Sequence, residues 1–267
     1  MKFAYFVRPH IGGTYTVFKQ LREGLAGFGI EVRWLAMGEH ESLGDPLWFS
    51  ELEFGSVIET GGLHGERDQA QALASALADE GYDGVFINVL SDRVQTNIAR
   101  YLPETILRIM IVHNITPGTY AAAAAIRDHV HATIGVSERC RKDLVERYGF
   151  APAHTHVIPN AIDTEVFRGK MREARQETRL RMLFLGRIED ASKGVFWLPG
   201  IMERLPRSAA LTVAGAGPDL EKLRKDMAPH ASRIEFLGAV PPAQIPALLL
   251  RHDVLVMPSR FEGYPLT

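Results

Sequence analysis

Cysteine is almost absent from this sequence: Cys140 is the single one in 267 residues. An intramolecular disulfide and a cysteine-built zinc site are therefore excluded, and a reducing compartment fits. An excess of one charge is missing as well. The chain has 30 Lys+Arg against 32 Asp+Glu, a formal net charge of −2. That balance argues against a polyanion binder, hence against a nucleic-acid partner, while leaving room for a local basic site. Long apolar runs are also lacking. Val85–Leu90, and Asp253–Met257 with its flanks, fall far short of the roughly 20 residues that a bilayer span needs. The first apolar run is cut by Arg8 and Pro9, too early for a secretory signal, and reads better as a buried strand. A cytoplasmic protein is expected, with peripheral contact at a membrane surface left open.

What is present is globular. Hydrophobic residues make up 46% and charged residues 23%, which excludes a disordered chain, a collagen and a coiled coil. At roughly 150 residues per domain, the length allows one large domain or two modest ones. Short apolar runs at Phe3–Val7, Val32–Ala36, Gly84–Val89, Arg108–Val112 and Ala132–Val136 alternate with helix-like segments. These segments are Thr14–Phe28, Arg67–Glu80, Asp92–Tyr101, Gly118–Asp128 and Ser137–Tyr148. Gly29 and Gly149 stand where left-handed caps are expected. Strands this apolar, alternating with helices, imply a parallel sheet covered on both faces. Residues 38–65 mix Gly, His, Asp, Pro and Trp and read as an irregular excursion.

The charged stretch 168–179 lacks an apolar stripe and reads as a linker. A second series follows: strands at Met182–Leu185, Ala210–Ala214, Ile234–Leu237 and Asp253–Met257, helices at Gly194–Leu205, Pro218–Met227 and Pro242–Leu250. The expected fold is α/β, with two Rossmann-like parallel-sheet domains, 1–167 and 180–267, the second incomplete.

Ligands in open parallel sheets sit outside the carboxyl ends of the strands. After the first strand come Gly12 and Gly13 before a helix. They fit either a tight strand–helix turn or a loop whose backbone approaches a ligand. His113 ends another strand, placed to donate to a sugar hydroxyl or an oxyanion, or to serve as a structural histidine. Asn160 and Asp163 lie at the passage into the linker, where capping is the simpler reading. Arg187 and Lys193 flank a loop after Leu185, two cations suited to a diphosphate. Gly215 and Gly217 look like a dinucleotide fingerprint, but Leu220 holds the third glycine position and the strand is not the first of its unit. A nicotinamide cofactor is rejected on those grounds. A P-loop, an H-E-x-x-H pair and a G-x-S-x-G elbow are all absent. So is any Asp-x-Asp, leaving a diphosphate to Arg187 and Lys193 with no metal.

The order of these motifs resembles the retaining family-4 glycosyltransferases of the GT-B fold. The carriers are Gly12-Gly13, Val-Ile-Pro-Asn-Ala-Ile-Asp at 157–163, Gly-Arg-x(5)-Lys-Gly from Gly186, and Ala-Gly-Ala-Gly-Pro at 214–218. Phe-Leu-Gly at 236–238 and Pro-Ser-Arg-Phe-Glu-Gly-Tyr-Pro from Pro258 complete the set. The resemblance is specific in 157–265 and weaker before. It implies a nucleotide-diphosphate sugar as donor substrate, no separate cofactor, no metal, and sugar transfer with retention of configuration. Arg187 and Lys193 match the basic pair on the diphosphate, and Gly12 and Gly13 the loop near donor phosphate and sugar. His113 resembles the family histidine beside the transferred sugar. Glu262 matches the first glutamate of E-x(7)-E. Gly215, Gly217 and Gly238 fall in segments lining the nucleotide site.

The second glutamate of that motif would lie beyond Thr267. The chain is therefore expected to be a piece of a longer protein, or one half completed by a partner chain, and to bind donor weakly and turn over little. The acceptor, whether glycan, lipid or small molecule, stays open. Two other functions are weighed: a non-catalytic GT-B-like subunit that binds a nucleotide sugar or a partner, and a nucleotide-sugar epimerase.

Overall fold

The computed structural model describes residues 1–10, 12–38, 50–89, 98–169 and 179–267. The chain divides into two compact units: residues 1–161 with 263–266, and residues 162–262 with Thr267.

The first unit carries β1 (Lys2–Phe6), α1 (Gly13–Ala26), β2 (Glu31–Gly38), β3 (Gly55–Glu59), α2 (Glu66–Asp79), β4 (Gly84–Asn88) and β5 (Leu107–Val112). It continues with α3 (Pro117–Ile126), β6 (Ala132–Gly135), α4 (Glu138–Tyr148) and β7 (Thr155–Val157). The seven strands form one sheet in the order β3-β2-β1-β4-β5-β6-β7, each described pairing being parallel. The central strands β1 and β4 are buried along nearly their whole length, which is why they read as continuous apolar runs. On one face Phe3, Tyr5, Trp34 and Phe86 meet Tyr15, Val17 and Phe18 of α1. Phe18 is wholly buried, and burial of one such side chain contributes about 1.5–3 kcal/mol.

Local signals set the helix ends. Thr116 accepts the Thr119 N–H at 3.0 Å ahead of Pro117, and Ser137 accepts the Cys140 N–H at 3.2 Å, both as N-caps. Gly149, at φ +72°, closes α4 with its N–H on the Leu144 carbonyl, a left-handed cap that glycine adopts without strain.

The second unit carries β8 (Arg181–Leu185), α5 (Asp190–Lys193), α6 (Leu198–Arg204), β9 (Ala210–Ala214), α7 (Leu220–Asp226), β10 (Ile234–Gly238), α8 (Ile245–Leu250) and β11 (Val254–Leu255). Its four strands run parallel in the order β10-β9-β8-β11. Met182, Phe184, Leu211 and Val213 pack with Val195, Leu198, Met202 and Leu223 on one face. Leu183, Ala214 and Leu248 pack on the other.

The α/β class with two parallel sheets is as expected. Two strands escape the sequence pattern. β3 lies inside the excursion 38–65, and β7 follows α4. Both are sheet edges with mixed sequences, Gly-Ser-Val-Ile-Glu and Thr-His-Val. An edge strand is covered on fewer sides and shows no apolar run. The expected helix Asp92–Tyr101 is described only from Ile98, as a short 3-10 turn to Tyr101. Most of the expected linker 168–179 lies outside the described residues, as do Trp48 and Phe49 of the excursion.

Candidate functional site

In each sheet the strand order reverses once, between β1 and β4 and between β8 and β11. Such a reversal opens a crevice at the carboxyl ends, where ligands bind. The expected residues gather at these two places, and each is described within its own unit.

In the first unit, His10 folds back behind β1. Its Nδ1 donates to the Arg8 carbonyl at 2.8 Å, and its Nε2 meets the Thr14 hydroxyl at 3.1 Å. Gly12 has φ 176°, an extended backbone open to any residue. A Cβ there would overlap the His10 ring at 2.7 Å, so that side chain would have to shift, while one at Gly13 would touch only Leu266 at 3.5 Å. No main-chain atom of the fold closes on either glycine from the Cβ side, and Gly13 is exposed at the start of α1 while Gly12 is half-buried.

His113 follows β5. Its Nε2 lies 2.7 Å from Oδ1 of Asn88, the last residue of β4. Burial lowers its pKa from the usual 6.5 to about 4, so the ring is neutral at physiological pH. The Nε2–H is thus already engaged and is not free for a substrate oxygen. The segment 263–266 belongs to this unit. Asn160 donates to the Tyr264 carbonyl at 2.7 Å, and a Cβ on Gly263 would overlap the His113 carbonyl. Asn160 is therefore a tether for that segment rather than a cap.

In the second unit, Asp163 accepts the Glu165 N–H at 2.9 Å, an Asx turn one residue ahead of the N-cap position, Thr164, of a short 3-10 turn. Arg187 leaves β8 with its side chain 66% exposed, its nearest carboxylate being Glu189 at 3.4 Å. Lys193 ends the single helical turn α5 rather than opening a helix. Its Nζ sits 2.6 Å from Oε1 of Glu262. Gly194 makes this approach feasible: it is left-handed at φ +62°, and a Cβ there would overlap the Pro258 carbonyl. Arg260 adds a second tie, Nη2 to Asp190 Oδ2 at 3.1 Å, with its N–H on the Ser192 carbonyl at 2.9 Å. Asp190 also accepts the Phe196 N–H at 2.9 Å. The loops after β8 and β11 are thereby fastened together, 69 residues apart in sequence at the Lys193–Glu262 pair.

Gly215 and Gly217 have a structural reason of their own. Gly215 is at φ +147°, where a Cβ would overlap the Gly186 carbonyl oxygen; a Cβ on Gly217 would overlap that of Ile188. Main-chain hydrogen bonds stitch the same loops, Gly186 N–H to Ala214 O at 3.0 Å and Ile188 N–H to Ala216 O at 2.9 Å. Gly238, at φ +72°, accepts the Gly215 N–H at 2.7 Å. Gly215 and Gly217 thus pack backbone on backbone against the residues that flank Arg187, whereas a Cβ on Gly238 would meet open space.

The sequence reasoning missed Asn88 and Arg260. Asn88 carries a signal, a polar residue ending the apolar run Gly-Val-Phe-Ile-Asn. Arg260 lies two residues before Glu262 in the Pro-Ser-Arg-Phe-Glu-Gly-Tyr-Pro motif, but nothing in the sequence shows its partner, Asp190. Among the described residues there is no group of three or more His, Cys, Asp or Glu side chains placed to hold a metal. Also among them, no helix is long and apolar enough to cross a membrane.

Comparison with known proteins places the chain. The description "Glycosyltransferase Family 4" matches residues 11–166, and "Glycosyl transferases group 1" matches residues 179–267. The chain belongs to glycosyltransferase family 4. It is 30% identical over 142 residues to the phosphatidylinositol N-acetylglucosaminyltransferase gpi3 subunit of Schizosaccharomyces pombe, covering 51% of this chain and 30% of that protein. It is 31% identical over 140 residues to a glycogen synthase of Mycobacterium tuberculosis, covering 50% of this chain and 33% of that one. These matches thus span about half of this chain and about a third of each relative. Among solved structures, the lipopolysaccharide outer core galactosyltransferase WaaB superposes with a TM-score of 0.72 at 16% identity, over 100% of this chain and 76% of that one. HepE of Anabaena, in complex with UDP-glucose, gives 0.73 at 12% identity, over 97% and 74%. The fold is that of the GT-B glycosyltransferases.

Proposed function

We propose that this chain binds a nucleoside-diphosphate sugar and moves the sugar to an acceptor with retention of configuration and without a metal. In this reading, residues 1–167 are the acceptor-side domain and 180–267 the donor-binding domain. The observation that carries the reading is the Lys193–Glu262 pair at the strand-order reversal of the second sheet, on the same loop after β8 that carries the exposed Arg187. Breaking the bond between the anomeric carbon and the leaving phosphate builds negative charge on the diphosphate. Arg187 and Lys193 are the fixed cations that stabilise it in the transition state. Lys193 then exchanges Glu262 for phosphate, and Glu262 is released to accept from sugar hydroxyls. Gly12 and Gly13 offer main-chain N–H groups to the donor, and His113 faces the transferred sugar. HepE was solved with UDP-glucose, which supports a uridine nucleotide as the first donor to try. A lipid acceptor at a membrane surface is in keeping with the phosphatidylinositol-directed relatives.

The test is a thermal shift against UDP, GDP, ADP and their sugars. A ligand at about 100 times its dissociation constant stabilises the fold by about 2.7 kcal/mol. A selective shift that vanishes in Arg187→Ala is the expected result. No shift with any nucleotide would overturn the reading.

The second reading, a non-catalytic subunit of a larger assembly, is favoured by the relatives that are themselves named as subunits. It predicts nucleotide binding without transfer until a partner chain is added. Incubation with donor alone also separates transfer from epimerisation, since an epimer would form without acceptor.

A further inference from the structure

The first unit contains a polar pair, Asn88 and His113, whose direction is set by a main-chain carbonyl. Asn88 is 3% exposed. Its Nδ2 donates to the Phe6 carbonyl at 2.7 Å. A carbonyl can only accept, so this contact orients the amide and leaves Oδ1 as the atom 2.7 Å from His113 Nε2. Tyr5, on the neighbouring strand β1, turns its own hydroxyl elsewhere, Oη donating to the Thr14 carbonyl at 3.2 Å in the first turn of α1. The amide hydrogens of Asn88 are thus on the side of the Phe6 carbonyl, and only its oxygen faces His113. The proton between His113 and Asn88 sits on Nε2, and in a neutral imidazole the lone pair is then on Nδ1.

We propose that Asn88 is a positioning residue that fixes His113 as an Nε2-protonated imidazole, so that His113 presents only an acceptor, at Nδ1, and the substrate group it takes is a hydroxyl rather than a phosphate oxygen. A phosphate oxygen carries no proton at neutral pH and would face the Nδ1 lone pair with its own. The substrate half of this proposal rests on the donor reading above; the Asn88 half does not.

The surroundings keep the ring in that form. Among the described residues, the titratable side chains nearest this pair are the Tyr5 hydroxyl on β1 and the Cys140 thiol on α4, whose Sγ faces the Val112 carbonyl at 3.7 Å. Burial raises both, the thiol to about 11, so neither is charged near neutrality. The Gly263 backbone, with the Val136 side chain beside it, lies against the His113 carbonyl. No carboxylate of the unit pairs with the imidazole among the described residues.

The test is a long-range 1H–15N spectrum of the full chain with 15N-labelled histidine, His113 being assigned by its loss in His113→Gln. The expected ligand-free spectrum shows Nδ1 unprotonated and Nε2 protonated at pH 7, unchanged down to about pH 5. A proton on Nδ1 at pH 6.5 would overturn the proposal. In Asn88→Asp, a carboxylate beside Nε2 favours the imidazolium, and the titration midpoint of His113 rises by at least about one pH unit. A purely structural asparagine would leave that midpoint in place. If the variant does not fold, the wild-type spectrum alone decides. UDP-glucose or UDP-N-acetylglucosamine should move the Nδ1 resonance, and UDP alone should not. A shift with UDP alone, or sugar-nucleotide binding without a shift, defeats the hydroxyl assignment. Absence of all binding, read by thermal shift on the same samples, defeats the donor reading and the hydroxyl assignment together. The tautomer set by Asn88 is still decided by the ligand-free spectrum.

Discussion

Two glycine pairs follow strands in this chain, and they do opposite things. At Gly215 and Gly217 an added Cβ would collide with the carbonyl oxygens of Gly186 and Ile188. The protein's own backbone fills the space that glycine opens. At Gly12 and Gly13 an added Cβ would meet side chains instead, displacing a histidine ring and touching one leucine methyl, and no backbone closes on them from that side. A glycine after a strand therefore says only that something comes close. Whether that is the chain itself or a ligand is decided by residues far away in sequence. The units differ in the same sense: the first buries its polar residues Asn88 and Glu51 against fixed partners, whereas the second leaves Arg187 in solvent.

The largest effect is expected where backbone meets backbone. Gly215→Ala adds a Cβ in a left-handed, closed position and should cost about 2–5 kcal/mol, lowering the melting midpoint of the second unit by about 10 °C or more. An unchanged midpoint would remove the contrast between the two pairs. Next come the cations. Arg187→Ala and Lys193→Ala should each weaken UDP binding by about 10- to 100-fold, the worth of one charge-assisted hydrogen bond. Arg187→Ala should leave stability within about 0.5 kcal/mol. Calorimetric titration beside urea unfolding gives both readings, and undiminished affinity would refute the assignment.

A smaller effect concerns acid. Burial holds His113 at about 4, below the roughly 6.5 of an unfolded chain. The unfolded state takes up the proton first, so stability is full above that value and is lost as pH falls from about 6.5 towards 4. His113→Gln should flatten the fall of the urea midpoint between pH 7 and 4.5; an identical slope would assign it to another group. The smallest change is expected in Gly13→Ala. Stability should hold or rise, by no more than about 1 kcal/mol, while sugar-nucleotide affinity drops. Unaltered affinity would make that pair, too, a mere turn.

The central strands were legible because two covered faces force unbroken apolar runs. β3 and β7 were not, because edges tolerate Ser, Glu, Thr and His. At the candidate site, the spacing from Arg187 to Lys193 and the position of Glu262 could be read directly. Their meeting could not: the Lys193–Glu262 contact depends on Gly194 admitting the Pro258 carbonyl, a tertiary event. His113 could be picked out by its place after β5, but its available nitrogen could not. That depends on Asn88, which looks in sequence like the polar end of an ordinary strand. Asn160 was read as a cap because Asn commonly caps. Its true partner, the Tyr264 carbonyl, is 104 residues away.

The single cysteine has a use beyond what it excludes. Cys140 is wholly buried, its thiol turned to the carbonyl that immediately precedes His113 and held protonated to about pH 11. A thiol reagent can reach it only when α4 lifts away from β5, and no second thiol competes for the label. The rate at which the unaltered protein is modified is thus a clock for the opening of the region that holds His113. A ligand that engages this region should slow that clock, with no dye, tag or engineered residue required.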